Sequence, residues 1–433
     1  MSSFWDVSFL VRPLEAVHFG PPKSFVAGEA HHSRSVFPPT ATTFQGLLRS
    51  RLLAAVHPPL DLSERSAAAS SHWEQLVGPS DSLPPGWQIE GPFPAEIGAM
   101  PGLFGEEEET VIPWTPTPRF LLSAGKDKVP LHARIIRSTH PGRNDLKRDI
   151  LPVGRPEFST VEPLGGWVDP ENLAFALTGE GKRVWSCKGY GKEALPFVEY
   201  ERHPGVAIDR GEKTIAEPGG VSSRGRGEIR EDRGAAAHGM LYFLETLRFA
   251  PSAGLFGLFS GAVSGEIPRN ALTTGVGVVG KHSRYVAFEP ARSLHPTWQG
   301  LRQGDHLTGA TENEEQLFWL VAMAPARLSS PLDPMPRIDL PIGLRVTFRA
   351  ALTGYPLAIG GYRAATGDSR PTRPYVPAGS CWLLQVQGGD PKARESVLRQ
   401  MHNRHVLGPA DEARFGYGLT FIGIGPREER KQA

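Results

Sequence analysis

Cysteine is scarce in this chain, which has only Cys187 and Cys381 among its 433 residues. The two are far apart and no Cys-x-x-Cys pair exists, so the sequence offers no recognisable zinc ligand set and no disulfide framework. This usage is typical of a reducing compartment. We expect neither a metal site nor a secreted protein.

Long apolar runs are also missing. The uncharged stretch 249–265 is interrupted by Pro251 and several glycines and is too short to span a bilayer comfortably. The first residues show no charged lead followed by an apolar run, the pattern of a secretion signal. We therefore expect a cytoplasmic protein without membrane contact.

A charge excess of either sign is absent, since 47 Lys and Arg oppose 46 Asp and Glu. This balance excludes a uniformly basic nucleic-acid coat but allows a local basic groove. With 39% hydrophobic and 21% charged residues, the composition predicts a folded protein. The counts of 49 glycines and 41 prolines favour turns and loops over long helices.

Familiar catalytic and cofactor motifs are missing as well. There is no Walker loop, His-Glu-x-x-His helix or nucleophile elbow. Gly275-x-Gly277-x-x-Gly280 matches a dinucleotide fingerprint formally, but a strand pattern follows it where that fingerprint requires a helix. We expect no cofactor and no small-molecule substrate.

What is present is a strand, loop and helix pattern at both ends of the chain. Residues 4–11 read as a strand, and Thr40 to Thr43 lead into apolar residues spaced three and four apart, which indicates a capped helix. This is how a ferredoxin-like βαββαβ domain begins. Further segments are predicted as strands at 205–208, 239–249, 285–289, 316–323 and 380–386, and as a helix at 390–405.

The length favours two domains. We predict an α+β protein with one domain at 1–250 and a second at 251–433. Residues 58–202 are rich in proline and glycine, with little helical periodicity, and are predicted to be an insertion or a set of long loops in the first domain.

The most informative motif lies in 415–425, where four glycines alternate with bulky apolar residues after Arg414. Bare amides at such glycines can approach the phosphates of a polyanion. The alternative is a glycine-bearing final strand packed against a helix. For Tyr417 alone, core packing is the favoured interpretation.

Several segments, in this order and spacing, resemble the third subunit of the Cmr complex, the type III-B CRISPR effector, which belongs to the RAMP superfamily. They are 22–28 with 33–38, 42–53, 205–208 with 239–242, 279–286, 377–380 and 415–418. The resemblance implies two ferredoxin-like, RRM-related domains, the second ending in the glycine-rich loop. It also implies a non-catalytic subunit that binds the 5′ repeat-derived tag of the CRISPR RNA and docks the large palm-domain subunit and the backbone RAMP subunits. The family usually has a Gly-Gly-Glu-x-Arg-like turn, whereas here Lys281 and His282 make that turn more basic.

A single-stranded RNA tag calls for basic side chains, bare amides and aromatic faces. The predicted RNA-binding residues are Lys23, His31, His32, Arg34, Arg224, Arg226, Lys281, His282, Arg284, Arg363, Gly416, Tyr417 and Gly418. For each charged residue the alternative is an ordinary solvated loop or turn.

Two other functions stay open. A metal-independent ribonuclease that processes CRISPR RNA could use His31 or His32 as its general base, with Lys23 or Lys281 stabilising charge. A purely structural adaptor would instead direct its basic loops to acidic groups of protein partners.

Overall fold

The structure, a computed structural model, describes residues 2–20, 32–57, 67–79, 82–101, 107–124, 129–135, 153–154, 161–178, 195, 197–206, 241–280, 283–363 and 368–426. The strands are β1 Ser2–Pro13, β2 His32–Ser33, β3 Gln88–Pro101, β4 Glu107–Pro113, β5 Thr115–Pro116, β6 Leu121–Ala124, β7 Val129–His132, β8 Arg134–Ile135, β9 Val153–Gly154, β10 Val161–Pro163, β11 Trp167–Val168, β12 Val198–Val206, β13 Leu241–Phe249, β14 Ala253–Ser264, β15 Gly275–Val279, β16 Arg284–Pro290, β17 Leu317–Ala322, β18 Arg345–Leu352, β19 Leu357–Arg363, β20 Asp368–Tyr375, β21 Cys381–Gln387, β22 Arg404–His405 and β23 Leu419–Ile424. The helices are α1 Ala41–Ala54, α2 Ala67–Val77, α3 Pro170–Thr178, α4 Pro296–Gln303, α5 Pro391–Met401 and α6 Ala410–Arg414, with a 3-10 turn at Asp305–Leu307.

The larger of two main sheets has six strands in the order β15-β16-β1-β14-β3-β4, and α1 packs on one face. Thr40 caps α1, its side-chain oxygen accepting from the Thr43 amide at 3.2 Å. Phe9 of β1 stacks on Phe44 of α1, with ring centroids 5.9 Å apart. Gly257, opposite Phe9, makes room for this pair, since a Cβ there would lie 2.7 Å from the Phe44 ring.

The second main sheet has five strands in the order β18-β21-β17-β23-β22. The strands β17 and β21 are almost wholly buried, and apolar residues of one face pack against Val397, Leu398 and Met401 of α5. Asp390 caps α5, its Oδ1 accepting from the Ala393 amide at 2.7 Å.

The faces of the two sheets turned away from α1 and α5 share one apolar core. Phe93 of β3 contacts Trp298 of α4 at 5.5 Å between ring centroids, and Trp298 contacts Phe421 of β23 at 5.7 Å. The apolar side chains of α3 join the same cluster. The two sheets are therefore bound to each other through buried aromatic contacts.

Each main sheet holds one split βαβ unit, in which two parallel strands joined by a helix are separated by a third strand. In the first sheet β14 separates β1 from β3, which α1 connects, and in the second β17 separates β21 from β23, which α5 connects. A pair of complete ferredoxin-like domains stays a prediction, because the described residues of each sheet supply only one such crossover.

Most predicted strands are confirmed, including the antiparallel pairing of Gly205 and Val206 with β13. The predicted helix 390–405 is too long at its end: it stops at Met401, and Arg404 and His405 instead pair with β23.

The region 58–202 differs most from its prediction as insertion or loops, because it supplies β3 and β4 to the first main sheet as well as α2 and α3. Likewise, β14 and β16 pair with β1, and β15 pairs with β16. The first main sheet therefore contains strands from beyond the predicted domain boundary at residue 250. The hydrogen-bonded partners of β1 thus come from the middle of the chain. None of the described helices is long and apolar enough to cross a membrane.

Candidate nucleic-acid interface

A small three-stranded sheet in the order β12-β13-β2 carries one of the predicted RNA-binding residues, His32, and a second, Arg34, follows directly after β2. Nine residues of β12 pair antiparallel with β13, and the two-residue β2 adds in parallel, placing His32 beside Phe243. Because neighbouring residues in register share a face, their rings meet.

His32 and Phe243 form a stacked pair exposed to solvent. Their ring centroids lie 5.3 Å apart with an angle of 14° between the ring planes, and Phe243 is 42% exposed. Pro204 lies opposite Phe243, so by strand alternation Arg202 and Tyr200 of β12 follow on the same face. Both are exposed. We call His32, Phe243, Arg202 and Tyr200 the aromatic platform.

A polar network holds the strands of the platform together. The His18 Nδ1 lies 2.7 Å from the Glu245 carbonyl oxygen and must donate to it, so Nε2 accepts from the Ser33 hydroxyl at 3.2 Å. The Glu245 carboxylate accepts from the Ser35 amide at 3.1 Å. These bonds hold β2 against β13 on both sides of Arg34.

The charges around the platform are mixed. Arg34 is exposed and makes no ion pair with any described residue. On the platform face, partial burial and then the negative charge of Glu245 raise the pKa of Tyr200, which keeps its hydroxyl protonated as a donor. The arrangement offers aromatic faces for bases and an exposed guanidinium for phosphate.

Arg284 has a different environment. Its guanidinium pairs with the Glu15 carboxylate, which also accepts from the Tyr285 amide at 3.0 Å. That amide and then Arg284 lower the pKa of Glu15. The charge of Arg284 is thus balanced within the chain, and its contact with RNA stays a prediction.

The glycine motif of residues 415–418 is a buried joint between the two sheets. Gly416 and Gly418 have φ angles of 105° and 71°, and their amides donate to the carbonyl oxygens of Ala413 at 3.1 Å and Pro325 at 2.9 Å. Tyr417 is 1% exposed, with its ring 5.0 Å from Tyr375.

The joint reaches the first sheet as well. The Tyr417 hydroxyl lies 3.3 Å from the Thr42 hydroxyl at the start of α1, and a Cβ on Gly416 would lie 3.0 Å from the Ile89 and Gly91 carbonyl oxygens of β3. The core-packing interpretation of Tyr417 is confirmed. Both glycine amides already have acceptors, so the structure gives them an internal role, and phosphate binding by them stays a prediction.

The remaining predicted residues are not brought together by the described structure. Lys23, His31, Arg224, Arg226, Lys281 and His282 lie outside the described residues, and Arg363 ends β19 with its side chain also outside them. Within the described part of the chain, no group of His, Cys, Asp and Glu side chains could hold a metal ion.

Sequence reasoning named His32 and Arg34 as candidates but did not name Phe243, Tyr200 and Arg202. The alternation of β13 signalled an exposed face, but which residues occupy it depends on the register with β12.

Comparison with known proteins decides the family. The chain matches the family described as "CRISPR-associated protein (Cas_Cmr3)" over residues 9–220 and 223–424. The chain belongs to the Cas_Cmr3 family. The resemblance drawn from its motifs is confirmed at this level, and Cas_Cmr3 membership identifies it as a subunit of the type III-B class of CRISPR effector.

Two solved structures are similar to this Cas_Cmr3 member at low identity. One is a cryo-EM structure of the type III-B Cmr-beta bound to cognate target RNA and AMPPnP, with 14% identity and a TM-score of 0.39 over 87% of this chain and 86% of that one. The other is Cmr-beta bound to cognate target RNA, with 13% identity and a TM-score of 0.38 over the same shares of each chain. A search among curated proteins finds no significant match.

Proposed function

We propose that this Cas_Cmr3 family member is a non-catalytic, RNA-binding subunit of a cytoplasmic type III-B effector, and that it binds the 5′ repeat-derived tag of the CRISPR RNA. The observation that carries the proposal is the solvent-exposed stack of His32 on Phe243 beside the exposed Arg34, which makes no ion pair with any described residue.

The physical basis is the chemistry of single-stranded RNA. Its bases are free to stack on flat side chains, and each base–aromatic stack contributes roughly 1–3 kcal/mol. A ring pair held by strand pairing loses little entropy when a base joins it. An exposed arginine beside the rings can bind the adjacent phosphate with charge-assisted hydrogen bonds.

The proposal extends to fold and partners. Two ferredoxin-like units, built around the split βαβ crossovers of the two main sheets, would place this chain in the RAMP superfamily. As the family resemblance implies, it docks the large palm-domain subunit and the backbone RAMP subunits. Co-expression with those subunits and recovery of one particle tests the docking; recovery of this chain alone contradicts it.

RNA titration tests the central claim. The full chain is titrated with labelled RNA with and without the tag sequence, at two salt concentrations. We expect tag-dependent affinity that falls as salt rises, because phosphate contacts release counterions. His32→Ala combined with Phe243→Ala is expected to weaken binding by roughly 5- to 100-fold, from the stacking energy above.

The matched control is Tyr355→Ala, since Tyr355 is a 94% exposed aromatic residue outside the platform. It should bind as the wild type does. Arg34→Ala should weaken binding and reduce its salt dependence. The proposal is contradicted if the chain binds tagged and untagged RNA equally. It is also contradicted if the platform variant, His32→Ala with Phe243→Ala, binds tagged RNA as tightly as the wild type does. Shortened RNA formed in EDTA, and lost in His32→Ala, would instead support the nuclease alternative.

A further inference from the structure

A cleft of about 800 Å³ lies where the two main sheets meet, beside the helix α6 that precedes the glycine motif. One wall is formed by Gly86, Trp87 and the first residue of β3, and the other by the loop 337–339, the end of α5, β22 and α6. This volume is in the range of sites that hold small molecules or single nucleotides.

Three arginines from separate elements line the cleft. They are Arg337 in the loop, Arg404 in β22 and Arg414 at the end of α6. Arg404 and Arg414 are exposed, and neither makes an ion pair with a described residue. One carboxylate, that of Asp339, shares the lining. The cleft therefore carries an excess of positive charge.

The three side chains lie on ordered backbone. Arg337 donates from Nη2 to the His405 carbonyl oxygen at 2.6 Å, which ties the loop to β22. Arg404 lies opposite Thr420 in the β22–β23 ladder. Arg414 immediately precedes the buried Phe415 of the glycine motif. The fold thus sets the backbone positions of all three arginines, and a hydrogen bond holds the side chain of Arg337.

Histidine contributes no charge here near neutral pH. Burial lowers the pKa of His405, and its Nδ1 donates to the Tyr417 carbonyl oxygen at 2.9 Å. Partial burial lowers the pKa of Arg337 while the Asp411 carboxylate opposes this, and a guanidinium stays protonated at any physiological pH. The positive charge of the cleft thus comes from arginine alone.

We propose that this arginine cleft binds the phosphate of a nucleotide, either one within the single-stranded guide RNA or a free one. Planar guanidinium groups match phosphate oxygens in paired hydrogen bonds, and three of them converging on a nucleotide-sized space favour that ligand. The RNA source rests on the proposed function, whereas the free nucleotide does not.

The test uses the full chain and the double variant Arg404→Ala with Arg414→Ala. The control is Arg345→Ala, an exposed arginine at the start of β18 that does not line the cleft. Two probes are titrated separately: a labelled tag-bearing RNA over a series of salt concentrations, and adenosine 5′-monophosphate. Circular dichroism and unfolding midpoints show whether each variant is folded. If the alanine variant is unstable, Arg404→Gln with Arg414→Gln replaces it.

For RNA we expect the double variant to bind at least about tenfold more weakly, since hydrogen bonds to charged groups contribute that much. The slope of log affinity against log salt should fall by about 1.4, from about 0.7 for each lost phosphate contact on a single strand. The platform variant, by contrast, should lose affinity with its salt slope unchanged.

The outcomes separate the two claims. If tagged RNA binds the double variant with wild-type affinity and slope, and adenosine monophosphate binds neither protein, the cleft inference is overturned while the proposed function stands. If RNA does not bind but adenosine monophosphate binds wild type and not the double variant, the cleft inference stands and the proposed function fails. If neither probe binds the wild type, both are overturned.

Discussion

Lowering the pH should destabilise the protein through His402, a buried ring that links α5, α4 and β23. Its Nε2 donates to the Leu301 carbonyl oxygen at 2.6 Å and its Nδ1 accepts from the Ile422 amide at 3.0 Å. Both ring nitrogens are thus used in a way that only the neutral tautomer allows. Adding a proton would turn the Nδ1 acceptor into a donor facing another donor.

The surroundings of the His402 ring also favour its neutral form. Burial is the main cause that lowers the pKa of His402 to about 4, and the nearby His306 and Arg399 add positive charge. In the unfolded chain a histidine titrates near its ordinary value of about 6.5. The stabilisation is therefore fully present above pH ~6.5 and is lost as the pH falls toward ~4, because the unfolded state then binds the proton first.

The size of the effect follows from these two values. Between pH 7.5 and pH 5.0 this one site should remove ~2 kcal/mol from the free energy of unfolding, at 1.36 kcal/mol per pKa unit. His402→Gln removes the titrating group. The stability difference between wild type and this variant should therefore shrink by ~2 kcal/mol over that interval.

Urea unfolding at pH 7.5, 6.5, 5.5 and 5.0 measures the difference. His57→Gln is the control, since the His57 side chain is exposed, and it should follow the wild type at every pH. At pH 7.5 the His402→Gln variant should be less stable than wild type by roughly 2–4 kcal/mol, because a buried amide and a buried carbonyl lose their partners. A wild-type advantage that stays constant from pH 7.5 to pH 5.0 would refute the reasoning.

Two further predictions concern the joint between the sheets. Gly418→Ala should yield little folded protein, because its Cβ would lie 1.9 Å from the Leu407 carbonyl oxygen. The control Gly309→Ala, at a similar φ of 73° but with open space around it, should lower the stability in thermal unfolding by only ~1–2 kcal/mol. Equal losses of stability in the two variants would show that the φ angle alone matters. Arg327→Met should destabilise by ~1–3 kcal/mol in urea, because it leaves the partly buried Glu412 carboxylate, whose pKa burial already raises, without the guanidinium at 2.7 Å. Arg327→Lys, which keeps the charge, should lose less, and a fully stable Arg327→Met would show that this ion pair does not stabilise the joint.

The sequence pattern predicted those strands and helices whose own residues are enough to specify them. The strand β1 and the capped helix α1 have clear periodicity, and β17 and β21 are short continuous apolar runs, so local preference and burial agree there. Of the strand β3, only residues 88–90 show a strand pattern, because Gly91, Pro92 and Pro94 interrupt the alternation that follows. Pairing with β14 and β4 on either side overrides that weak local signal.

The candidate site was less predictable for a related reason. His32 and Arg34 belong to a visibly basic loop. Phe243 joins them only because β13, which is far away in the sequence, pairs in parallel with β2. Arg337, Arg404 and Arg414 are scattered in sequence and meet only because β22 pairs with β23. No spacing rule could bring these residues together before the topology was known.

The buried joint at 415–418 has a consequence for synthesis on the ribosome. Strand β1 is made long before β14 completes its ladder, and the cluster around α1 waits for Phe415 and Tyr417. A nascent chain that has not yet reached this motif would thus present an open apolar face to chaperones. Cooperative closure would follow only once the motif is made, so loss of the motif should open the cluster around α1, which lies far earlier in the sequence.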